Sequence, residues 1–116
     1  MHESAIVGNL ITTILEESEK LKSVDEVILE LGDLTTYKKE AIEFYYDSMK
    51  NHYPVLASSV LIINVIPGEV ECLDCKKTSI ITEKFMIFCP ECNSSNVNII
   101  KGRDFVIKDI KEKQNV

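Results

Sequence analysis

The first half of the chain switches between helix-like and strand-like spacing of its apolar residues. Over residues 4–21 the apolar side chains recur at steps of three and four, with acidic side chains opposite, which predicts an amphipathic helix. Residues 24–31 alternate branched apolar and polar side chains before Gly32, which predicts a strand. A second amphipathic pattern over residues 38–52 predicts another helix, and Pro54 ends it.

The second half contains two further strand patterns. Residues 60–66 are apolar at nearly every position, which is typical of a strand covered on one face and partly on the other. Pro67-Gly68 interrupts this run. Residues 104–111 alternate again and predict a closing strand. The segment between these two strands carries all four cysteines.

The cysteines form two identical pairs, Cys72-x-x-Cys75 and Cys89-x-x-Cys92. Two intervening residues allow one tight turn to present both thiolates to a single ion, and two such turns complete a shell of four sulfurs. Zn(II) suits a closed tetrahedral thiolate site, although iron in a rubredoxin-like site uses the same ligands. Two disulfides are the alternative, which would require an oxidising compartment. The pattern favours a structural zinc site.

Together these elements predict an α+β fold, with a small mixed sheet, two helices and an inserted zinc-ribbon-like module. We expect residues 1–67 together with 104–116 to form one domain, and residues 68–103 to form the zinc-binding domain inserted between its strands. A module of about 35 residues with few large apolar side chains buries too little surface to fold alone, so the ion would supply its folding free energy.

The charge of the chain is acidic and unevenly distributed. Its formal net charge is -6, with five Lys/Arg against eleven Asp/Glu in residues 1–66 and five of each in residues 67–103. A zinc module without a basic surplus argues against nucleic-acid binding, because phosphate contacts normally need clustered Lys and Arg. No apolar run is long enough to span a bilayer, and no basic stretch precedes an apolar core at the start. We therefore expect a cytoplasmic protein with no nucleic-acid or membrane partner.

Candidate chemistry outside the cysteines is limited to the amino terminus. The chain has no serine in a glycine elbow and no phosphate loop, so we expect no enzyme. His52 follows the second predicted helix and is expected in solvent or at the helix end. By contrast, the amine of Met1, the imidazole of His2 and the peptide nitrogens of residues 2 and 3 could chelate one ion. Such a planar all-nitrogen set favours Ni(II) or Cu(II), and an ordinary exposed helix-start histidine is the alternative.

Several of these features combined resemble one family, the HypA/HybF hydrogenase nickel-insertion proteins. The resemblance covers essentially the whole chain and rests on Met1-His2-Glu3 before a helix, on residues 27–34, on the cysteine pairs with Pro90 and Ser94, and on residues 102–107. Asn93 departs from the usual glycine, but asparagine tolerates the left-handed backbone that this turn needs. Thr35-Thr36-Tyr37 stands where the family commonly has Ser-x-Val, which bears on partner identity rather than on metal binding.

The resemblance implies a nickel metallochaperone that delivers Ni(II) for maturation of [NiFe]-hydrogenase. Nickel ligands would come from the Met1 amine, from the imidazole and amide of His2, and from the amide of Glu3. Zn(II) would be held separately by Cys72, Cys75, Cys89 and Cys92. Implied partners are a hydrogenase maturation GTPase and the hydrogenase large-subunit precursor, together with urease maturation factors in some members.

Two other classes of function remain open from the sequence. A zinc-ribbon protein–protein adaptor without a nickel role would keep the four cysteines and make His2 irrelevant. A rubredoxin-like electron carrier would hold iron and give a coloured protein. Only the metallochaperone requires an unblocked Met1 amine and an imidazole at position 2.

Overall fold

The computed structural model describes residues 3–82 and 86–113, which form two helices and six strands in an α+β fold. The elements are α1 (Glu3–Glu17), β1 (Val24–Gly32), α2 (Lys39–Met49), a 3-10 turn (Lys50–His52), β2 (Val60–Ile66), β3 (Gly68–Cys72), β4 (Thr78–Ile81), β5 (Val97–Lys101) and β6 (Phe105–Glu112). One sheet has the strand order β2-β1-β6 and the other β4-β3-β5. Among the described residues, no helix is long and apolar enough to cross a membrane.

The two helices and the three strands expected from the sequence are confirmed, and α1 ends earlier than expected. α1 ends at Glu17 rather than near residue 21. The reason is local: the hydroxyl of Ser18 donates to the carbonyl of Ile14, and the amide of Leu21 bonds Ser18 only three residues back. Serine competes in this way with the regular helical bonds, so the helix gives way to a turn.

The chain divides into two compact units by its internal contacts. The first comprises Met1–Leu29, Tyr37–Asn64 and Ile107–Val116, and the second comprises Glu30–Thr36 and Val65–Val106. The division therefore falls inside β1, β2 and β6. The predicted domain boundaries at residues 67 and 104 differ from it by a few residues, and whether residues 68–103 form a separate domain stays a prediction.

The first unit buries one stripe of each helix and alternate residues of its strands. The buried positions on α1 repeat at three and four residues, as expected for one face of a helix: Val7, Leu10, Ile11 and Ile14. α1 packs against α2. The end of α2 is fixed by a buried polar chain, in which the hydroxyl of Tyr46 lies 2.6 Å from that of Ser59, which in turn donates to the Leu56 carbonyl at 2.6 Å. The buried tyrosine thus has its hydrogen bond and needs no water.

The second unit has a small sheet and few buried apolar side chains. β3 pairs antiparallel with both β4 and β5, and a bulge interrupts its register with β5 between Glu69 and Val70. Its strands are four or five residues long. Buried apolar side chains in residues 65–106 are limited to Val70, Ile81 and the two cysteines Cys72 and Cys89, among the residues described there. So small a core stabilises little by itself.

Three glycines lie together where the chain enters and leaves the cysteine-bearing part of the second unit. Gly102 has a φ of +94°, and a Cβ placed on it would lie 2.5 Å from the Cα of Gly68. A Cβ on Gly32 would meet the carbonyl of Gly102. This carbonyl accepts a hydrogen bond from the Leu34 amide at 2.7 Å, so the backbones cannot move apart without losing it. Only glycine fits at positions where two backbones approach each other this closely.

Replacing Gly102 by alanine should therefore destabilise the zinc-loaded protein, by about 1–3 kcal/mol from the backbone conformation alone. The control is Gly8→Ala in α1, where the new Cβ would make an ordinary contact of 3.8 Å with the Met49 side chain. That change should stabilise the helix by roughly 0.5–1 kcal/mol. Urea unfolding followed by circular dichroism measures both. Equal midpoints for Gly102→Ala and wild type would contradict the close approach.

Candidate metal centre

The four cysteines of the second unit converge on one point. Their sulfur atoms all lie within 4.8 Å of one another. The Sγ atoms of Cys72 and Cys92 are 3.6 Å apart, as are those of Cys75 and Cys89. Four sulfurs placed tetrahedrally about 2.3 Å from a zinc ion are about 3.8 Å apart, whereas a disulfide bond is about 2.05 Å long. The cluster therefore fits one tetrahedral ion, and all four cysteines are free thiols rather than disulfides.

Two backbone turns of the same design present these sulfurs. In the first, the amide of Cys72 donates to the Lys77 carbonyl at 2.9 Å, and the amide of Lys76 donates back to Cys72 at 3.0 Å. In the second, Cys89 donates to Ser94 at 2.9 Å, and Asn93 donates back to Cys89 at 2.8 Å. Each turn thus closes on itself five residues after its first cysteine, which holds its pair of sulfurs in place.

The residue after each pair adopts the left-handed backbone that closes the turn. Lys76 has a φ of 66° and Asn93 a φ of 62°. Asparagine enters this region at little cost, as expected from the sequence, whereas lysine does so less readily. The strain at Lys76 was not predicted, because nothing in a lysine marks a left-handed turn.

The sulfurs differ in their readiness to lose a proton. The Cys75 amide points at the sulfur of Cys72 from 3.4 Å, and this hydrogen bond is the main cause that lowers the pKa of Cys72 to about 7. The amide of Ser94 acts in the same direction on Cys92, but the neighbouring Cys72 sulfur, burial and the other two cysteines outweigh it and raise the pKa of Cys92 to about 12. The pKa of Cys75 is also raised, despite the favourable Lys77 amide.

These opposed shifts follow from crowding four acidic groups into one small volume. One thiolate can form with help from the backbone, but each further negative charge is repelled by the first. A divalent cation removes this repulsion, since a coordinating thiol is deprotonated outright. The donor set therefore fits a cation of the soft, tetrahedral class to which Zn(II) belongs.

A set of side-chain hydrogen bonds joins the two turns, and the sequence did not predict it. The hydroxyl of Ser94 donates to one carboxylate oxygen of Asp74, and the amide group of Asn96 donates to the other at 3.3 Å. These bonds, first of all the one from Ser94, lower the pKa of the Asp74 carboxyl. The contact spans 20 residues of sequence, so no local pattern could indicate it.

At the other candidate site, Met1 and His2 lie outside the described residues. Glu3 is the first residue of α1, and its carboxylate accepts a hydrogen bond of 3.2 Å from the backbone amide of Lys38, immediately before α2. Its own amide and that of Lys38 lower the pKa of the Glu3 carboxyl, in that order of importance. The predicted metal contact of Glu3 is through its backbone amide, and this stays a prediction.

The second histidine does not join a metal cluster among the described residues. His52 lies in the 3-10 turn after α2 and is exposed, as expected from the sequence. At the other end of α2, the N-cap residue Lys38 makes no side-chain cap bond, and its backbone amide donates to the Glu3 carboxylate.

Comparisons with known proteins agree on one family. Residues 1–112 match the family model described as "Hydrogenase/urease nickel incorporation, metallochaperone, hypA". The chain is 33% identical to hydrogenase maturation factor HypA of Rhizobium leguminosarum bv. viciae over 96% of this chain and 98% of that one. It is 31% identical to the Aquifex aeolicus protein of the same name, over 96% of each.

A solved structure gives the same result for the fold. The solution structure of the nickel metallochaperone HypA from Helicobacter pylori matches with a TM-score of 0.70 at 23% identity, covering 97% of each chain. The solved structure thus agrees with the fold described above, and the family model and the relatives agree on the family. The chain belongs to the HypA family of hydrogenase/urease nickel-incorporation metallochaperones.

Proposed function

We propose that this protein binds Ni(II) at its amino terminus and delivers it for maturation of [NiFe]-hydrogenase. The observation that carries the proposal is the match of residues 1–112 to a nickel-incorporation family, together with relatives named hydrogenase maturation factors. The ligands would be the amine of Met1, the imidazole and amide of His2, and the amide of Glu3. These nitrogens lie within a few bonds of one another, so they need little folded structure to meet.

The contact made by Glu3 supports this assignment. Its carboxylate accepts a hydrogen bond from the amide of Lys38 at 3.2 Å, so this side chain already has a partner within the folded unit. The same contact would hold the start of α1 against the start of α2. The nickel-binding residues would then be tethered to the folded unit immediately after position 2, and this favours a defined site over a free peptide chelate.

The coordination chemistry suits a carrier. Binding needs a neutral imidazole and ionised peptide nitrogens, so uptake of Ni(II) releases protons and acid reverses it. Planar nitrogen ligands hold Cu(II) more strongly than Ni(II), and affinity alone would not select nickel. Selection would come from metal supply and from the partners, a hydrogenase maturation GTPase and the hydrogenase large-subunit precursor. Urease maturation factors are further candidates, since the family name includes urease.

The second metal would be structural. Cys72, Cys75, Cys89 and Cys92 would hold Zn(II) in a closed shell that leaves no open position for a substrate. We assign residues 68–103 to this zinc-binding domain and residues 1–67 with 104–116 to the nickel-binding domain. A cytoplasmic protein that carries metal and catalyses no reaction is consistent with a closed zinc site and with this family.

Nickel titration of untagged, zinc-loaded protein tests the amino-terminal site. Calorimetry should find that the wild-type protein binds one equivalent of Ni(II) tightly. His2→Ala should bind Ni(II) at least tenfold more weakly, because it lacks one of the ligand nitrogens. The matched control is His52→Ala, since His52 is exposed and far along the chain from the proposed ligands. Equal affinity in wild type and His2→Ala would contradict the site and favour the adaptor function.

The affinity for nickel should also fall as the pH falls. An unperturbed imidazole gains its proton near pH 6.5, so the apparent affinity should drop between about pH 7.5 and 5.5. Binding should release protons throughout this range, and more of them at the lower end, where the imidazole is protonated before it binds. Titrations in two buffers of different ionisation enthalpy would measure the proton count. A nickel affinity that stays constant over this range, or binding without proton release, would contradict a site made of the His2 imidazole and peptide nitrogens.

Zinc removal should unfold the second unit and spare the first. The purified protein should be colourless and carry one zinc per chain, and a coloured iron protein would instead favour an electron carrier. On chelation, the amide NMR resonances of β3, β4 and β5 should collapse because the ion supplies folding free energy on the order of 10 kcal/mol. Those of α1 and α2 should stay dispersed, since the first unit has its own buried core. Collapse of both sets would contradict two independently stable domains.

A further inference from the structure

The two cysteine turns are related to each other beyond their backbone. The residue before the second cysteine is acidic in both: Asp74 before Cys75 and Glu91 before Cys92. Each acidic side chain reaches across to the opposite turn, to the residue two positions after its second cysteine. Asp74 meets Ser94, and Glu91 meets Lys77. The turns are thus cross-linked twice, in a pseudo-symmetric way.

The two cross-links differ in strength and in geometry. The Glu91 carboxylate lies 3.9 Å from the Lys77 ammonium, and the two side chains are 56% and 66% exposed. Such an exposed ion pair contributes little to stability, and salt screens it. Asp74 is exposed as well, but it uses both carboxylate oxygens, one for the hydroxyl of Ser94 and one for the side chain of Asn96. The Asp74 carboxylate is thus an ionised acceptor of two directed hydrogen bonds, and bonds of this kind are stronger than those between neutral groups.

The Asp74 contact is also part of a closed ring of hydrogen bonds. The Ser94 hydroxyl that donates to Asp74 accepts a hydrogen bond of 3.0 Å from the Asn96 amide. The Asn96 carbonyl in turn accepts one of 2.9 Å from the amide of Leu73, the neighbour of Asp74. Each bond fixes the orientation of the next, so the ring resists deformation better than a single contact does. It ties the first turn to the segment that follows the second.

The ring of hydrogen bonds affects metal binding because the four sulfur ligands come from both turns. Each turn supplies two sulfurs, and the 3.6 Å contacts between Cys72 and Cys92 and between Cys75 and Cys89 both run from one turn to the other. An ion can leave only when these sulfurs separate, which requires the turns to move apart. Asp74 lies next to Cys75, so its bonds to Ser94 and Asn96 oppose that movement close to the ligands.

We propose that Asp74 is a positioning residue of the metal centre, which slows metal release by joining the two cysteine turns through Ser94 and Asn96. The inference rests on the proposed zinc site and adds to it a residue that sets the lifetime of the bound ion. Residues of this kind, which hold ligands without touching the metal, change metal affinity by about ten- to a hundredfold when removed. Glu91, at the equivalent position of the other turn, has no such effect.

The test is the rate at which zinc passes from the full-length protein to an excess of a chromophoric chelator. Asp74→Ala and Ser94→Ala should each speed release about ten- to a hundredfold, and the double variant should be no faster than the faster single one. Ser94→Thr keeps the hydroxyl and should restore slow release. Glu91→Ala, the matched control, should change the rate less than twofold.

Absorption of the Co(II)-loaded proteins separates positioning from ligation. All variants should keep the spectrum of four thiolates around tetrahedral cobalt, because none of the altered residues is a ligand. Release from Asp74→Ala at the wild-type rate, or additive effects of Asp74→Ala and Ser94→Ala, would overturn the positioning role while leaving the zinc site intact. A wild-type protein without a tetrahedral thiolate spectrum would overturn the zinc site as well.

Discussion

The second unit is built around four sulfurs that could bind one cation as thiolates. Without the cation, the crowding of these thiols drives pKa values apart, to about 7 at Cys72 and about 12 at Cys92. The surrounding sheet cannot compensate, because its strands are short and bury few apolar side chains. A bound metal would therefore be the main cross-link of this unit, and the turns, the left-handed residues and the Asp74 ring are arranged around the four sulfurs.

The proposed metals make opposite demands on the chain. A closed shell of four sulfurs on two rigid turns suits an ion that is kept, since every ligand is held by the fold. A site made from the amine of Met1 and the nitrogens of His2 and Glu3 suits an ion that is passed on, because its ligands are at the chain end and release the metal on protonation. The folded structure would contribute mainly the fixed start of α1, through the contact of Glu3 with Lys38.

The elements and the cysteine ligands could be predicted because their signals are local. Helical and strand periodicity predicted α1, β1, α2, β2 and β6, and the spacing of the cysteines predicted their convergence. The strands β3, β4 and β5 were missed, since they are only four or five residues long and lie among turn residues. Asp74 was missed for another reason: its partners Ser94 and Asn96 are 20 and 22 residues away, and such contacts exist only after the turns have met.

The proposed nickel function depends on the amine of Met1, and blocking that amine is the most direct test. Ni(II) binding and zinc content should be measured side by side for the protein with a free Met1 amine and for the same protein acetylated there. We predict that acetylation removes the tight nickel site and leaves one zinc per chain, because only the nickel ligand set includes the amine. Equally tight nickel binding by the acetylated protein would contradict the proposed site and would require the nickel ligands to be sought elsewhere in the chain.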